Sequence, residues 1–411
     1  MRRKGIGIVL LFAVISASAP RVRASAPVPP PDCSCEASCC GSEASGRPLN
    51  RKISIMGSSV PYGSGAADNK GYTYFFSTYL APEWTVSNIC IPGNNTLDLL
   101  SRYGDLTADG ADFVLFALSL GNEGIHGAAN QEAVYRQWKD NMLELVARAR
   151  ADGKRVAVTG NYARGDFNGS DYAWTRRLNL DIQGWDLPSV NLLGSIDDGE
   201  GHWADGYQNG DDAYHPNTEG HREMSYTLVP SMFDAMAQGK PLPRRDRGGS
   251  LVLEGSIGLK PEGTVHSFST AIGIKSDLAD TSIIEADGIK LELKGGRLVL
   301  GDIISPGKVN DGAWHELFLT HYHARGITLL YLDGELIGSR EEKLVPGSFR
   351  YGQKGLCIRE IQFWRSGMNA DEAAALYNGA LLKSSLEIYA PLRGGSLENL
   401  ATSTNTLTRQ Q

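Results

Sequence analysis

Apolar runs alternate with longer amphipathic stretches along residues 51–240. The short runs predict strands at Lys52–Met56, Trp84–Cys90, Phe113–Leu118 and Arg155–Thr159. The longer stretches predict helices at Tyr72–Leu80, Thr96–Tyr103, Gln131–Ala151 and Thr218–Gln238. Because strands that alternate with helices form a parallel sheet covered on both faces, this region is predicted to be a three-layer α/β domain.

The pattern changes after a polar segment rich in Gly, Pro and Arg, residues 241–249, which predicts a linker. Residues 248–395 hold short apolar runs separated by turn pairs such as Asp287-Gly288 and Asp333-Gly334. These runs predict strands at Ser250–Glu254, Ser267–Ile274, Ser282–Glu285, Ile289–Leu293, Arg297–Leu300, His315–Tyr322, Thr328–Leu332 and Glu360–Phe363. Regular short strands predict a second, all-β sandwich domain, and residues 396–411 are expected to form a tail.

The first fifty residues carry an export pattern. Three basic residues at positions 2–4 precede the apolar run Ile6–Ala19, which ends in small residues, so residues 1–25 are predicted to be a secretory signal peptide. No other run approaches the length of a membrane span. Residues 26–50 are predicted to be a Pro- and Cys-rich linker, in which disulfides within the segment or to a partner are expected at Cys33, Cys35, Cys39 and Cys40. We therefore expect an exported protein, whether secreted, periplasmic or at the cell surface.

Composition adds two expectations. The 21% of charged residues is typical of a soluble globular protein. The net charge of −7 gives no excess of basic residues, so a nucleic-acid partner is not expected. Cys90 and Cys357 lie in different predicted domains and are expected to be buried and reduced. The sequence leaves the oligomeric state open.

Polar residues cluster in the segments that follow the predicted strands, at Gly57-Ser58-Ser59, Gly93-Asn94 and Gly121-Asn122, and again at Asp212 to His215. Ligands of parallel sheets bind at the carboxyl ends of the strands, so these segments are expected to form one site. A serine hydroxyl becomes nucleophilic when a histidine takes its proton, and Asp212 stands close enough in sequence to orient His215.

These stretches, in this order, resemble the blocks of the SGNH (GDSL-type) hydrolases, and the resemblance covers residues 51–240. It implies a flavodoxin-like α/β fold that cleaves esters on sugars or lipids. By position, Ser59 takes the nucleophile's place and Asp212 and His215 the acid and base places. The backbone N–H groups of Ser59 and Gly93 and the side chain of Asn122 take the places of the oxyanion hole.

Two positions depart from the family pattern. Ser58 stands where the family usually has an aspartate, so either serine can be the reactive one. Gly121 and Asn122 adjoin, whereas the family usually has one residue between them. Trp185, Trp203 and Arg164 are candidates for substrate binding; the alternatives are core aromatic residues and a solvated arginine.

The second domain resembles the laminin-G-like, concanavalin-type jelly roll in its Asp311-Gly-Ala-Trp-His315 and Leu330-Tyr-Leu-Asp-Gly334 stretches. Such modules often bind glycans, but the sequence shows no clear calcium site. The leading hypothesis is an exported serine esterase that deacylates a polysaccharide without a metal or organic cofactor. The alternatives are a lipid or thioester hydrolase of the same fold and a non-catalytic glycan-binding or adhesion protein.

Overall fold

The computed structural model describes residues 48–411. The predicted signal peptide and the four linker cysteines lie outside the described residues. Within the described chain, an α/β domain is followed by a domain of mostly antiparallel sheets, which confirms the predicted fold class.

The α/β domain is built on a five-stranded parallel sheet with the order β2-β1-β3-β4-β5, the flavodoxin-like order. Its strands are β1 (Lys52–Gly57), β2 (Thr85–Asn88), β3 (Phe113–Ala117), β4 (Arg155–Thr159) and β5 (Ser189–Val190). Along β3, Phe113 and Leu115 pack into one core and Val114 and Phe116 into a second core on the opposite face. Because successive side chains of a strand point to opposite faces, this alternation shows that both faces of the sheet are covered. A two-stranded hairpin of β6 (Gln208–Asn209) and β7 (Asp212–Pro216) lies outside the sheet.

The helices of this domain are α1 (Ser59–Tyr62), α2 (Tyr72–Ser77), α3 (Thr96–Ser101), α4 (Tyr103–Asp109), α5 (Gln131–Ala151), α6 (Gly169–Gln183), α7 (Leu193–Ile196), α8 (Thr218–Ser225) and α9 (Met232–Ala237). The prediction for α5 is confirmed at both ends: Asn130 caps it and Gly153 follows it with a φ of +75°. The single helix predicted at Thr218–Gln238 is wrong, because the chain is interrupted near Pro230 between α8 and α9.

The second domain is a sandwich of two seven-stranded sheets whose inner faces share one apolar core. One sheet runs β17-β16-β15-β10-β19-β20, with β8 paired to β19, and the other runs β14-β13-β12-β11-β18-β9-β21. The elements are β8 (Leu251–Val252), β9 (Ser256–Leu259), β10 (Phe268–Lys275), β11 (Thr281–Ala286), β12 (Ile289–Lys294), β13 (Arg297–Leu300), β14 (Ile303–Lys308), β15 (Trp314–Tyr322), β16 (Ile327–Leu332), β17 (Glu335–Glu341), β18 (Phe349–Tyr351), β19 (Cys357–Trp364), α10 (Ala370–Tyr377), β20 (Leu386–Ala390) and β21 (Leu407–Gln410).

Two segments predicted to lie outside the sandwich are part of it. Residues 396–411 do not form a separate tail, because β21 pairs with β9 at the edge of a sheet. The predicted linker is packed against the sandwich: Arg245 forms an ion pair of 2.9 Å with the buried Glu360 and donates to the Leu376 carbonyl. Backbone pairing and a partnered arginine thus fix both segments.

The contact between the two domains is buried and polar. Asn191 Nδ2 and Gln183 Nε2 both donate to Glu372 Oε1, at 2.8 and 3.2 Å. Ser189 Oγ lies 2.6 Å from Ser384 Oγ across the same contact. Because buried polar groups that have partners hold surfaces in one register, this network fixes the sandwich against the α/β domain.

Burial raises the pKa of Glu372 to about 7. A carboxyl whose folded pKa exceeds its unfolded value stabilises the fold fully below the unfolded pKa, and that stabilisation is lost as the pH rises through 7. We therefore expect the difference in unfolding free energy between wild type and Glu372→Gln to fall by about 3 kcal/mol between pH 4.5 and pH 8. Urea unfolding of both proteins across this range measures it, and a difference that does not change with pH would contradict the burial of an ionisable Glu372.

Both cysteines of the described chain lack a disulfide partner among residues 48–411. Among the described residues Cys90 and Cys357 are free thiols; Cys90 is buried as predicted, whereas Cys357 is only partly buried. None of the helices in residues 48–411 has the length and apolar character needed to cross a membrane.

Candidate active site

The segments after β1, β2 and β3 meet the β6–β7 hairpin at a pocket of about 370 Å³. The pocket brings together five of the residues predicted from the sequence, Ser59, Gly93, Asn122, Arg164 and His215. Its complete lining is Ser59, Val60, Ser64, Pro92, Gly93, Ser119, Gly121, Asn122, Tyr162, Arg164, Tyr214 and His215.

The two adjacent serines have different environments. Gly57 ends β1 so close to β3 that a Cβ there would lie 2.0 Å from the Ala117 carbonyl oxygen, which explains the glycine. Ser58 is fully buried, and its hydroxyl donates to Asn122 Oδ1 at 3.0 Å. Ser59 begins α1 and lines the pocket. Of the two hydroxyls, the one at Ser59 is therefore placed to meet a substrate.

Asp212 and His215 lie on one extended strand, β7, rather than on a helical turn. Asp212 Oδ2 is 2.7 Å from His215 Nδ1, and Asp212 Oδ1 accepts the Tyr214 N–H at 2.9 Å. Partial burial opposes ionisation of Asp212, but the hydrogen bonds from His215 and Tyr214 outweigh it and hold the pKa of the carboxyl below its usual value. With Nδ1–H donated to this carboxylate, His215 Nε2 is left as the acceptor of a proton.

The Asn122 side chain is held in one orientation by two hydroxyl groups. Ser58 Oγ and Ser119 Oγ both donate to Asn122 Oδ1, at 3.0 and 3.2 Å. Because the oxygen of the amide accepts both hydroxyls, its NH₂ group is left as a donor for another acceptor at the pocket that Asn122 lines. Ser58, at the position where SGNH hydrolases usually have an aspartate, thus helps to hold the Asn122 side chain in this orientation.

Gly93 follows Pro92 in a turn closed by an Asn94 N–H bond to the Ile91 carbonyl at 3.2 Å. Its φ of +85° lies in the left-handed region, and no atom would obstruct a Cβ there, so the backbone angle alone accounts for the glycine.

The segment that follows Ser59 packs closely against β7, the strand that carries His215. Gly65 approaches β7 so closely that a Cβ would lie 2.3 Å from the Pro216 oxygen and 2.9 Å from His215 Cβ. His221, on α8, bonds the Ser64 oxygen through Nε2 at 2.9 Å and accepts the Tyr72 N–H at Nδ1. Burial lowers the pKa of His221 to about 4, so its imidazole is neutral and fills a structural role.

Arg164 lines the pocket, but its charge is already paired. It makes two hydrogen bonds to Asp166, at 2.9 and 2.7 Å, and donates to the Gly121 oxygen at 2.8 Å. A Cβ at Gly121 would lie 2.5 Å from this guanidinium, so the arginine packs over the glycine next to Asn122. Substrate binding by Arg164 stays a prediction, and its contacts in the structure support the loop that carries Asn122.

Neither predicted tryptophan lines this pocket. Trp185 stacks on Trp138 of α5 at a ring-centre distance of 6.1 Å and packs with the core on that face of the sheet. Trp203 is buried, stacks on Tyr162 at 5.9 Å and donates to the Ala213 oxygen. Both are therefore core aromatics, the alternative that the sequence left open, although Trp203 supports a pocket residue.

Sequence reasoning missed two aromatic residues of the site. Tyr162 lies in the segment after β4 and lines the pocket, as residues of the segments after β1, β2 and β3 do. Burial raises the pKa of its phenol to about 12, so the hydroxyl stays protonated. Tyr214, between Asp212 and His215, is 55% exposed and lies over the Arg164 guanidinium at 4.6 Å. Two features of the sequence could have pointed to these residues: Tyr162 closely follows a predicted strand, and Tyr214 lies between Asp212 and His215.

The orientation of Asn122 leads to a kinetic prediction. We expect Asn122→Ala to lower kcat for an ester substrate by about 10²- to 10³-fold with little change in KM, the usual effect of losing one oxyanion donor. Asn122→Asp keeps the shape but replaces the NH₂ donor with an acceptor, so it should lose a similar factor. Steady-state kinetics of the two variants test this, and near wild-type kcat in the aspartate variant would remove the amide from the oxyanion hole.

The α/β domain matches one family model. Residues 55–223 match the model described as the GDSL-like Lipase/Acylhydrolase family. The match begins within β1 and ends within α8, so it contains all the predicted catalytic residues. The α/β part of the chain is therefore similar to the GDSL/SGNH-type hydrolases. The match does not reach the sandwich, and the laminin-G-like resemblance stays a prediction.

Solved structures with similar folds include TesA and two esterases. TesA is 21% identical, with 42% of this chain and 93% of that chain covered and a TM-score of 0.36. A catalytic mutant of Axe2, an acetylxylan esterase from Geobacillus stearothermophilus, is 13% identical, with 43% and 91% covered and a TM-score of 0.36. The psychrotrophic esterase EstA from Pseudoalteromonas sp. is 17% identical, with 46% and 98% covered and a TM-score of 0.35. No curated protein matches the chain.

Proposed function

We propose that this protein is an exported serine esterase that removes acetyl or similar short acyl groups from a polysaccharide. One observation carries the proposal: Ser59, Asn122 and His215 line one pocket, and His215 is held by Asp212 at 2.7 Å. These groups supply a nucleophile, an oxyanion donor and an oriented base. Export rests on the sequence pattern of residues 1–25.

In the proposed mechanism, His215 Nε2 takes the Ser59 proton while Ser59 Oγ attacks the ester carbonyl. The oxygen that becomes negatively charged accepts hydrogen bonds from Ser59 N–H, Gly93 N–H and Asn122 Nδ2. As the intermediate collapses, the ester C–O bond breaks and the proton on His215 passes to the departing sugar hydroxyl. A water then loses its proton to His215, attacks the acyl-enzyme and releases the acid, which restores Ser59.

The serine and histidine must draw closer for the first step. Within residues 48–411 no hydrogen bond joins Ser59 Oγ to His215, although both line the pocket. Such contacts are often long in the free enzyme and tighten with substrate bound. The close approach of Gly65 to β7 holds the two backbone segments together while this contact forms.

The lining favours a small acyl group on a polar substrate. Most of the lining side chains are polar, and Val60 and Pro92 are its aliphatic members. A long acyl chain would need a continuous apolar wall, which favours the polysaccharide over the lipid or thioester alternative. At the rim, the exposed ring of Tyr214 offers a flat face on which a sugar ring can stack.

The test combines two substrate series. Rates on p-nitrophenyl acetate, butyrate and octanoate should fall with chain length, and acetate should be released from acetylated plant or algal polysaccharides by wild type but not by Ser59→Ala. Rates that rise towards octanoate would favour the lipid alternative. Absence of turnover on every ester, together with no labelling by a fluorophosphonate probe, would favour a non-catalytic binding protein.

A further inference from the structure

A second cluster of reactive side chains lies where the two domains meet. Glu223 comes from α8 of the hydrolase domain, and His266 and His323 come from the sandwich. One ligand atom from each of the three residues lies within 4.8 Å of the other two. The cluster is thus built from three parts of the chain that only the folded interface brings together.

The backbone places the two histidines side by side. In the antiparallel pairing of β10 with β15, Phe268 stands opposite His321, so continuing that register brings residues 266 and 323 opposite each other. The His323 N–H donates to Ser267 Oγ at 3.1 Å, and the two imidazole rings are 4.2 Å apart at an interplanar angle of 30°. These constraints fix both rings before any ligand binds.

Each potential ligand is oriented toward the same place. Glu223 is 8% exposed, and its two carboxylate oxygens lie 2.8 and 3.0 Å from His266 Nδ1. His323 Nδ1 lies 3.1 Å from the Leu344 carbonyl oxygen. Because a carbonyl oxygen can only accept a hydrogen bond, Nδ1 carries the hydrogen and Nε2 has the free lone pair. A metal-binding histidine usually donates its second N–H to a carbonyl or carboxylate in this way.

We propose that Glu223, His266 and His323 form a binding site for a divalent transition metal of the zinc class, which joins the sandwich to α8. Two imidazole nitrogens and one carboxylate oxygen suit zinc, whereas calcium and magnesium prefer oxygen ligands alone. The ion takes the place of the hydrogen between His266 Nδ1 and Glu223, and the His266 ring then carries its hydrogen on Nε2. A water molecule completes a tetrahedral set.

The site has a structural consequence for the hydrolase domain. α8 begins immediately after the Asn217 cap, two residues beyond His215, and carries His221, which bonds the Ser64 oxygen. A metal ion held by Glu223 therefore fastens to the sandwich the helix that follows the catalytic base. Because it binds the folded interface and not the unfolded chain, the ion should stabilise the whole protein.

The test uses the purified protein of residues 48–411 and its full-length form, treated with chelator and then titrated with Zn²⁺ against a chromogenic competitor. We expect one Zn²⁺ per chain by elemental analysis and a rise in Tm on zinc addition. Glu223→Gln and His323→Asn should each raise the Kd for Zn²⁺ at least about 100-fold, since changes around a metal site already cost 10- to 100-fold. Two single-ligand variants are used so that misfolding of one does not decide the result. Far-UV circular dichroism of the metal-free proteins checks that both variants are folded.

His202→Gln is the matched control, because His202 belongs to the separate group of Asp198, Glu200 and His202. It should bind Zn²⁺ as wild type does. Wild type without Zn²⁺ affinity would overturn the proposal and leave Glu223 and His266 as an ion pair between domains. Unchanged affinity in both ligand variants, or loss in His202→Gln, would place the metal elsewhere and equally overturn it. Cobalt substitution gives an independent readout, since the absorption of bound Co²⁺ should disappear in the ligand variants.

Discussion

Replacing Ser59 with alanine is expected to lower kcat for p-nitrophenyl acetate by at least about 10⁴-fold, because the variant has no hydroxyl to form the acyl-enzyme. The fold should be unaffected, since Ser59 begins a four-residue helix and lines the pocket instead of the core. Initial rates, with circular dichroism and Tm as checks on the fold, measure this effect.

The neighbouring serine provides the matched control. Ser58→Ala removes one of the two hydroxyls that hold Asn122 Oδ1, while Ser119 still holds it at 3.2 Å. We therefore expect a much smaller loss of kcat in Ser58→Ala than in Ser59→Ala. The reverse order, with Ser58→Ala inactive and Ser59→Ala active, would move the nucleophile by one residue and require Asn122 to be reassigned.

Replacing His215 with alanine is expected to produce a loss of similar size, at least about 10⁴-fold in kcat. The reason is that Ser59 then has no base, while Asp212 loses the imidazole and keeps its bond to the Tyr214 N–H at 2.9 Å. Residues that act as one unit give effects that do not add. The double variant Ser59→Ala/His215→Ala should therefore be no slower than either single variant.

The double variant also tests whether Ser59 and His215 act in the same step. Rates of the two single variants and the double variant form a cycle in which full non-additivity is expected. Losses that multiply in the double variant would show that Ser59 and His215 act independently, and the proposed serine mechanism would then be wrong. The same cycle with Glu372→Gln, which lies at the domain contact, should give independent effects.

Three strands of the α/β sheet, β1, β3 and β4, were predictable because they are mostly apolar and buried. β4 was predicted at both ends and β1 and β3 to within one residue at one end, since strands buried on both faces appear as continuous hydrophobic runs. α6 was missed because several of its buried side chains are polar. Asp171, Asn179 and Gln183 bond other segments, Gln183 through the Ser384 N–H of the sandwich, and a polar buried face gives no hydrophobic stripe.

The site was predictable in its members but not in its geometry. The order of the polar segments pointed to Ser59, Gly93, Asn122 and His215, because the carboxyl ends of parallel strands share one edge. The sequence could not show that Ser58 is buried against Asn122, or that Arg164 is neutralised by Asp166, since both depend on contacts between distant segments. Nor could it show which face of the sheet a tryptophan covers, which is why Trp185 was left as a candidate for either the pocket or the core.

The most direct test of the central claim is to locate a covalent adduct. After reaction of the full chain with a fluorophosphonate, peptide mass spectrometry should find one phosphonylated residue, Ser59, and labelling should be lost in Ser59→Ala and strongly slowed in His215→Ala. An adduct on Ser58 or on a residue outside the pocket, or labelling that is equally fast without His215, would contradict the account of Ser59 as a nucleophile activated by His215.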